Sequence, residues 1–225
     1  MLQSTAIVDI SWLGYSCFEI TGKRTKIITD PYSEEIGLKL PPLEADIVTI
    51  SHPHPGHSNS QVIGGNPRVI NRPGEYEING IFITGLDSFH DNSGGKIRGK
   101  NIIYIIEIDG LTICHLGDLG HILSDQQIED MGGIDILLIP VGDANSLDAV
   151  TAAQVIRQLE PKIVIPMHYM TPGLNKELDG IDRFLKEIGN GKIEPRPKLR
   201  ISEKGLSEST ETILLERRVP SQPIS

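Results

Sequence analysis

The segment SHPHPGHS places His52, His54 and His57 directly after an apolar run that ends at Ile50. In extended chain, side chains two residues apart face the same side, so His52 and His54 can reach one metal ion. His57, beyond a turn at Pro55-Gly56, can swing back toward a neighbouring position. Imidazole suits zinc and also iron, copper or nickel, and binds zinc at about 2.0–2.1 Å. Three more residues of ligand type follow: His90 in SFHD, Asp118 in HLGDLGH and His168 in IPMHY. Each stands past a β-prone run, where open α/β sheets gather their ligands. One histidine in such a place is commonly a surface residue. A cluster with this spacing, joined by Asp118 and His168 in matching contexts, points to a metal centre.

The elements that must position these residues can be read along the chain. Ala6–Ile10, Cys17–Ile20, Thr25–Thr29 and Asp46–Ser51 are short strand-like runs, the last leading into the histidines. Asn79-Gly80 between Tyr76–Ile78 and Ile81–Ile83, and Asp109-Gly110 between Asn101–Ile108 and Leu111–His115, are two-residue hairpin signals. The second half turns helical. Ser124 and Gln127 form a capping-box pattern with Gly132 as a stop. Ala149, Ala152, Ala153, Ile156 and Leu159 recur at helical spacing until Pro161. Asp179 can cap a helix carrying Ile181, Phe184, Leu185 and Ile188. Between the helices, Asp135–Pro140 and Lys162–Pro166 are compact apolar runs of the kind buried on both faces of a sheet. Thr212–Glu216 is the last strand expected. The pattern predicts one α/β domain over residues 1–216, two sheets face to face with helices outside, and a flexible tail at 217–225.

Composition bounds the function. The 225 residues are 38% hydrophobic and 23% charged, ordinary for a folded chain, and the net charge is -9. That balance weighs against nucleic-acid binding and against adhesion to anionic membranes. No run approaches the roughly 20 apolar residues of a membrane span, and the start of the chain does not read as a signal peptide. Cys17 and Cys114 lack a CxxC spacing and read as small buried hydrophobes; the cytoplasm is the compartment expected.

SHPHPGH resembles the His-x-His-x-Asp-His signature of the metallo-β-lactamase superfamily, and His90, Asp118 and His168 resemble its remaining ligand motifs in the expected order. The resemblance runs from about Ile7 to Leu215, and LGD, PVGD and PMHY are most similar to the branch that includes ascorbate-6-phosphate lactonase. It implies an αββα sandwich with one or two ions, Zn2+ first and Mn2+, Fe2+ or Ni2+ as alternatives, in the cleft between the sheet edges. His52, His54 and His90 would form the first position, Asp118 would bridge, and His57 and His168 would complete the second. Asp30 in IITDP, on its residues alone a turn residue before Pro31, resembles an aspartate that holds the histidine loop in place.

The signature departs at Gly56, where the family carries an aspartate that binds the second ion and helps position the attacking water. Glycine can do neither, so a single-ion site or an altered metal requirement is expected, and no general base is identifiable. Gly56 is also readable as a turn residue, and Asp91, Asp143 and His121 are the candidates for the missing function. His115 reads as a core or supporting residue. Gly142–Asp148 either lines the cleft or caps the next helix through Ser146, and Arg72–Glu77 reads as structural.

The function implied is a metal-dependent hydrolase, in which metal-activated water, its pKa lowered from ~15.7 toward ~7, attacks an ester, lactone or phosphoester of a small molecule. The alternative is a catalytically impaired metal- or ligand-binding relative. A nuclease is the third reading, and the acidic balance weighs against it. A homo-oligomer is left open.

Overall fold

The structure, a computed structural model, describes residues 6–143 and 145–220. In chain order the strands are β1 (Val8–Gly14), β2 (Cys17–Thr21), β3 (Lys26–Thr29), β4 (Leu43–Glu44), β5 (Ile47–Thr49), β6 (Ile63–Gly64), β7 (Arg68–Ile70) and β8 (Gly74–Ile78). They continue with β9 (Ile81–Phe89), β10 (Lys100–Ile108), β11 (Leu111–His115), β12 (Ile136–Pro140), β13 (Ile163–Met167), β14 (Leu199–Ile201) and β15 (Glu211–Thr212). A six-stranded sheet has the order β14-β1-β2-β3-β5-β7, and a seven-stranded sheet the order β15-β13-β12-β11-β10-β9-β8.

Side-chain alternation explains how the sheets stack. In the first sheet Val8, Ile10, Trp12, Phe18, Ile20, Ile27 and Ile47 point into one core shared with the second sheet. Their neighbours Leu13, Cys17, Ile28 and Val48 point the other way, into a smaller cluster with Tyr32, Ile36 and Leu38. Alternate residues of a strand face opposite sides, so one sheet serves both clusters. The helices α1 (Asp125–Met131), α2 (Ala149–Leu159) and α3 (Ile181–Glu187) bury Met131, Ala152, Val155, Phe184 and Leu185 in the larger core. The outer face of the first sheet is covered by the loop through Tyr32 and Ile36 and by the β4-β6 ladder. The result is the expected αββα sandwich with one outer layer reduced to loops.

Both hairpins form as read. Asn79 and Gly80 have φ of 55° and 78°, Asp109 and Gly110 51° and 85°, the paired positive values that two-residue turns between twisted strands demand. β12 and β13 are parallel neighbours, buried at every position. Ser124 and Gln127 make the capping box.

Four expectations are corrected. Asp148, not Ser146, caps α2, accepting the Thr151 N–H at 2.8 Å. Gly180, not Asp179, is the residue before α3, and the Asp179 carboxylate instead takes the Arg183 guanidinium one turn on. The final strand is Glu211–Thr212, because past Ile213 the backbone bonds turn from β13 to Arg196. The tail does not start at 217: Arg218 N–H donates to Trp12 O at 2.8 Å and its guanidinium reaches Glu19 at 2.6 and 3.2 Å. Residues 221–225 of the expected tail lie outside the described residues. Among the described residues no helix is long and apolar enough to cross a membrane.

Candidate metal centre

The ligand-type residues leave the sheets at strand ends. Asp30 follows β3, His52 follows β5, His90 comes directly after β9, and His168 directly after β13. β9 is four residues longer than its hairpin core suggests, which carries His90 to the cleft without an intervening loop. Asp118 stands in the turn after β11. There Gly117 has φ 58°, and a Cβ on it would meet Asn101 Oδ1 at 2.4 Å and Ser51 Cβ at 2.5 Å. Only glycine fits between them.

These side chains converge. His52, His54 and His90 offer ligand atoms within 4.8 Å of one another, as do His57, Asp118 and His168. Asp118 lies between the groups: its Oδ2 is 3.0 Å from His57 Nε2, 3.3 Å from His90 Nε2 and 3.6 Å from His52 Nε2, and its Oδ1 is 3.2 Å from His168 Nε2. All six residues predicted from sequence are thus brought to one cleft. His54 alone is exposed, and the other five are buried.

Asp30 organises one side of the cleft. Its buried carboxylate accepts the Ser51 N–H at 2.7 Å, the Ser51 hydroxyl at 2.5 Å and His57 Nδ1–H at 2.9 Å. Ser51 Oγ, having donated to Asp30, accepts His52 Nδ1–H at 2.9 Å. Both rings therefore engage these partners through Nδ1 and turn Nε2 to the centre. Those Nε2 atoms find no hydrogen-bond partner, nor do Asp118 Oδ1 and both ring nitrogens of His168. Buried polar atoms are almost always bonded, and leaving them bare is costly. A set of imidazole nitrogens and one carboxylate, bare and aimed at a common point, fits a divalent transition-metal cation. A third grouping, Asp30 with His52 and His57, also falls within 4.8 Å. Asp30 is already engaged by Ser51 and His57, which leaves it as a support.

The electrostatics follow from this crowding. Burial, then the neighbouring His57, pushes His52 far below the usual histidine range, and burial with His90 lowers His54. Burial alone would lower His57 and raise Asp118, but the two face each other. Asp118 and Asp30 hold His57 up to about 10, while His168 and His57 hold Asp118 well below the carboxylate range.

The remaining candidates sort by what they touch. Asp91 accepts the backbone N–H groups of Ser93, Gly95, Ile97 and Arg98 at 2.7–3.0 Å, which fastens the loop after His90 and leaves it no free oxygen. His121 bonds the backbone of Phe89 and Ile122, away from the centre. His115 is fully buried and donates from Nε2 to Ser16 O at 2.8 Å, a supporting residue. Asp143 and Asn145 line a cavity of about 400 Å³ together with Tyr15, His54, Gly56 and Arg98, so the 142–148 loop borders the cleft.

Sequence reading missed three participants. Asn101, fully buried, accepts Asp118 N–H at 2.9 Å and donates to Leu116 O and Ser88 Oγ. Its signal was a lone amide opening an apolar strand. Ser51 links Asp30 to His52, and Tyr15 lies against His57 and His168 with ring centroids 5.0 and 4.1 Å away. Neither carries a local pattern.

Residues 9–168 match the family model described as the beta-lactamase superfamily domain. A protein of Thermococcus onnurineus named as a metal-dependent hydrolase is 30% identical over 194 residues, which are 73% of this chain and 86% of that protein. The crystal structure of a proposed Zn-dependent hydrolase of the metallo-β-lactamase superfamily from Thermotoga maritima is 37% identical. It covers 93% of this chain and 100% of its own, with a TM-score of 0.76. A metallo hydrolase from Ignicoccus hospitalis, 20% identical and covering 87% of this chain and 99% of its own, shares the fold at a TM-score of 0.66. With the six ligand-type residues on the strand ends of this sandwich, the chain belongs to the metallo-β-lactamase superfamily.

Proposed function

We propose that this protein is a metal-dependent hydrolase of a small ester, lactone or phosphoester. The observation that carries the reading is the set of bare nitrogens of His52, His57 and His168 together with Asp118 Oδ1 in one buried cleft. His52, His54 and His90 would hold one ion, His57 and His168 a second, and Asp118 would face both. A bound divalent cation supplies Lewis-acid polarisation and lowers the pKa of water toward ~7. Zinc suits this donor set best, with manganese, iron or nickel as alternatives.

The chain's own residues supply the rest. Asp30 orients His57, and through Ser51 it orients His52. Arg98, fixed at its backbone by Asp91, borders the cavity and offers a cationic contact to an anionic group of the substrate. Asp143 is the carboxylate of the cavity wall we assign as proton acceptor. Its Oδ1 receives the Asn145 amides at 2.8 and 2.9 Å, and among the described residues its Oδ2 is unengaged.

A second reading has one observation in its favour. Gly56 offers no side chain where the signature has an aspartate, which favours a metal-binding relative without turnover. Elemental analysis of the purified protein, followed by a screen of lactones, carboxylic esters and phosphoesters with and without chelator, separates the two. Bound metal with chelator-sensitive hydrolysis that falls at least tenfold in Asp143→Asn supports the hydrolase. Bound metal with no turnover across the screen favours the second reading, and protein without metal sinks both.

A further inference from the structure

The signature aspartate is missing at Gly56, yet the space it would use is not empty. A Cβ built on Gly56 meets Tyr15 Cε1 at 2.7 Å and Cδ1 at 3.4 Å. Real Cβ atoms do not sit that close to a neighbour, so any side chain at 56 requires the Tyr15 ring to move. Gly56 itself has no left-handed backbone to explain it. The glycine is there because of what packs against it.

Tyr15 is poorly able to give way. Its ring lies against His57 and His168, and the residue is only 7% exposed. Its backbone is held in the left-handed region at φ 55°. Its carbonyl accepts both Trp12 Nε1–H and His168 N–H, each at 3.0 Å, and Trp12 is stacked on Tyr169 with centroids 5.0 Å apart. The bonds that seat Tyr15 therefore also seat His168. Moving the ring disturbs two residues of the second ligand group at once.

We propose that Tyr15 is a wedge that occupies the place of a ligand from position 56 and sets the two metal positions apart. The His57–Asp118–His168 position is kept to three protein ligands and holds its ion more weakly than the position at His52, His54 and His90. Restoring a carboxylate at 56 does not restore a tight second position unless Tyr15 is also cut back. The inference rests on the metal-binding reading above, and its test separates the two.

Stepwise zinc affinities are measured by competition with a chromophoric chelator on the full chain, for the natural protein and for Gly56→Asp, Tyr15→Ala, Tyr15→Phe and Gly56→Asp/Tyr15→Ala. The natural protein is expected to bind the second ion at least tenfold more weakly than the first. Gly56→Asp leaves that gap within about threefold, the double variant closes it at least tenfold, and Tyr15→Phe, which keeps the ring, leaves it unchanged. A Gly56→Asp single variant that tightens the second ion as much as the double variant overturns the wedge. So does loss of the second ion in Tyr15→Phe, which would make the phenol oxygen a ligand.

Melting of the metal-free chains gives a readout independent of any ion. Gly56→Ala should lower the melting temperature by roughly 5 °C where Tyr15 is present, as overpacking does, and by less than half of that in the Tyr15→Ala background. Equal shifts in both backgrounds overturn the steric claim. Absence of zinc binding throughout, with the unequal shifts intact, would sink the metal-binding reading and the second-position claim while leaving the packing relation in place.

Discussion

The carboxylate of Asp30 stands 2.9 Å from Nδ1 of His57, on a residue with no exposure and a left-handed backbone. That contact fixes which nitrogen of His57 faces Asp118. Asp30→Asn keeps the shape, but its amide offers fewer acceptor sites to the Ser51 N–H, the Ser51 hydroxyl and the His57 ring. Partners of this kind typically govern metal affinity by about 10–100-fold. Asp30→Asn should weaken zinc binding by that factor in chelator competition, with His54 unaffected as a ligand. An affinity unchanged within twofold would remove Asp30 from the centre.

Asn101 does for Asp118 what Asp30 does for His57. Its oxygen accepts the Asp118 N–H and its amide donates to Leu116 O and Ser88 Oγ, all in a buried strand end. Asn101→Ala leaves buried groups bare, which costs about 1–3 kcal/mol, and loosens the turn that carries Asp118. Urea midpoints should shift accordingly and zinc affinity should fall with them. A stable variant with undiminished affinity would show that Gly117 alone holds the turn.

How much of this was legible in the chain depends on distance. The hairpins at Asn79-Gly80 and Asp109-Gly110 and the capping box at Ser124 were readable because their chemistry is local. The ligand set was readable because β3, β5, β9, β11 and β13 each end beside a His or Asp. Of the supports, Asp30 was legible only through its resemblance to a family aspartate; its partner Ser51 lies 21 residues away and Asn101 lies 17 residues from Asp118, and no spacing rule links either pair. Tyr15 against Gly56 is a contact between loops that only packing creates. The misread helix caps have a plainer cause. Ser146 and Asp148 are both short polar residues before α2, and Asp148, whose extended backbone turns its carboxylate to the Thr151 N–H, takes the cap, while Asp179 before α3 is drawn to Arg183.

His115 sets an acid limit. Burial holds its ring neutral, below the usual histidine range, with Nε2 donating to Ser16 O. Once unfolded it titrates near 6.5. Below that pH the unfolded chain takes up a proton that the folded chain refuses, so stability falls as pH drops. In chelator-treated protein, His115→Gln should reduce the slope of unfolding free energy between pH 6 and 5 by up to about 1.4 kcal/mol per pH unit. An unchanged slope would mean His115 is protonated in the fold.

Arg218 ties the end of the described chain to the first sheet. Its guanidinium spans both carboxylate oxygens of Glu19, and Lys26 lies 3.7 Å from the same group. Burial alone would raise Glu19, but the bond and charge of Arg218, then Lys26, hold it below the usual carboxylate value. The sign follows: the stabilisation is present above the unfolded value of 4.5 and is lost as pH falls through the lower folded one. Arg218 is 37% exposed, so water screens the pair and its contribution is about 0.5–1 kcal/mol. Arg218→Ala should lower stability at pH 7 by that amount and by much less at pH 3. An equal loss at both pH values would assign the effect to side-chain packing and not to the ion pair.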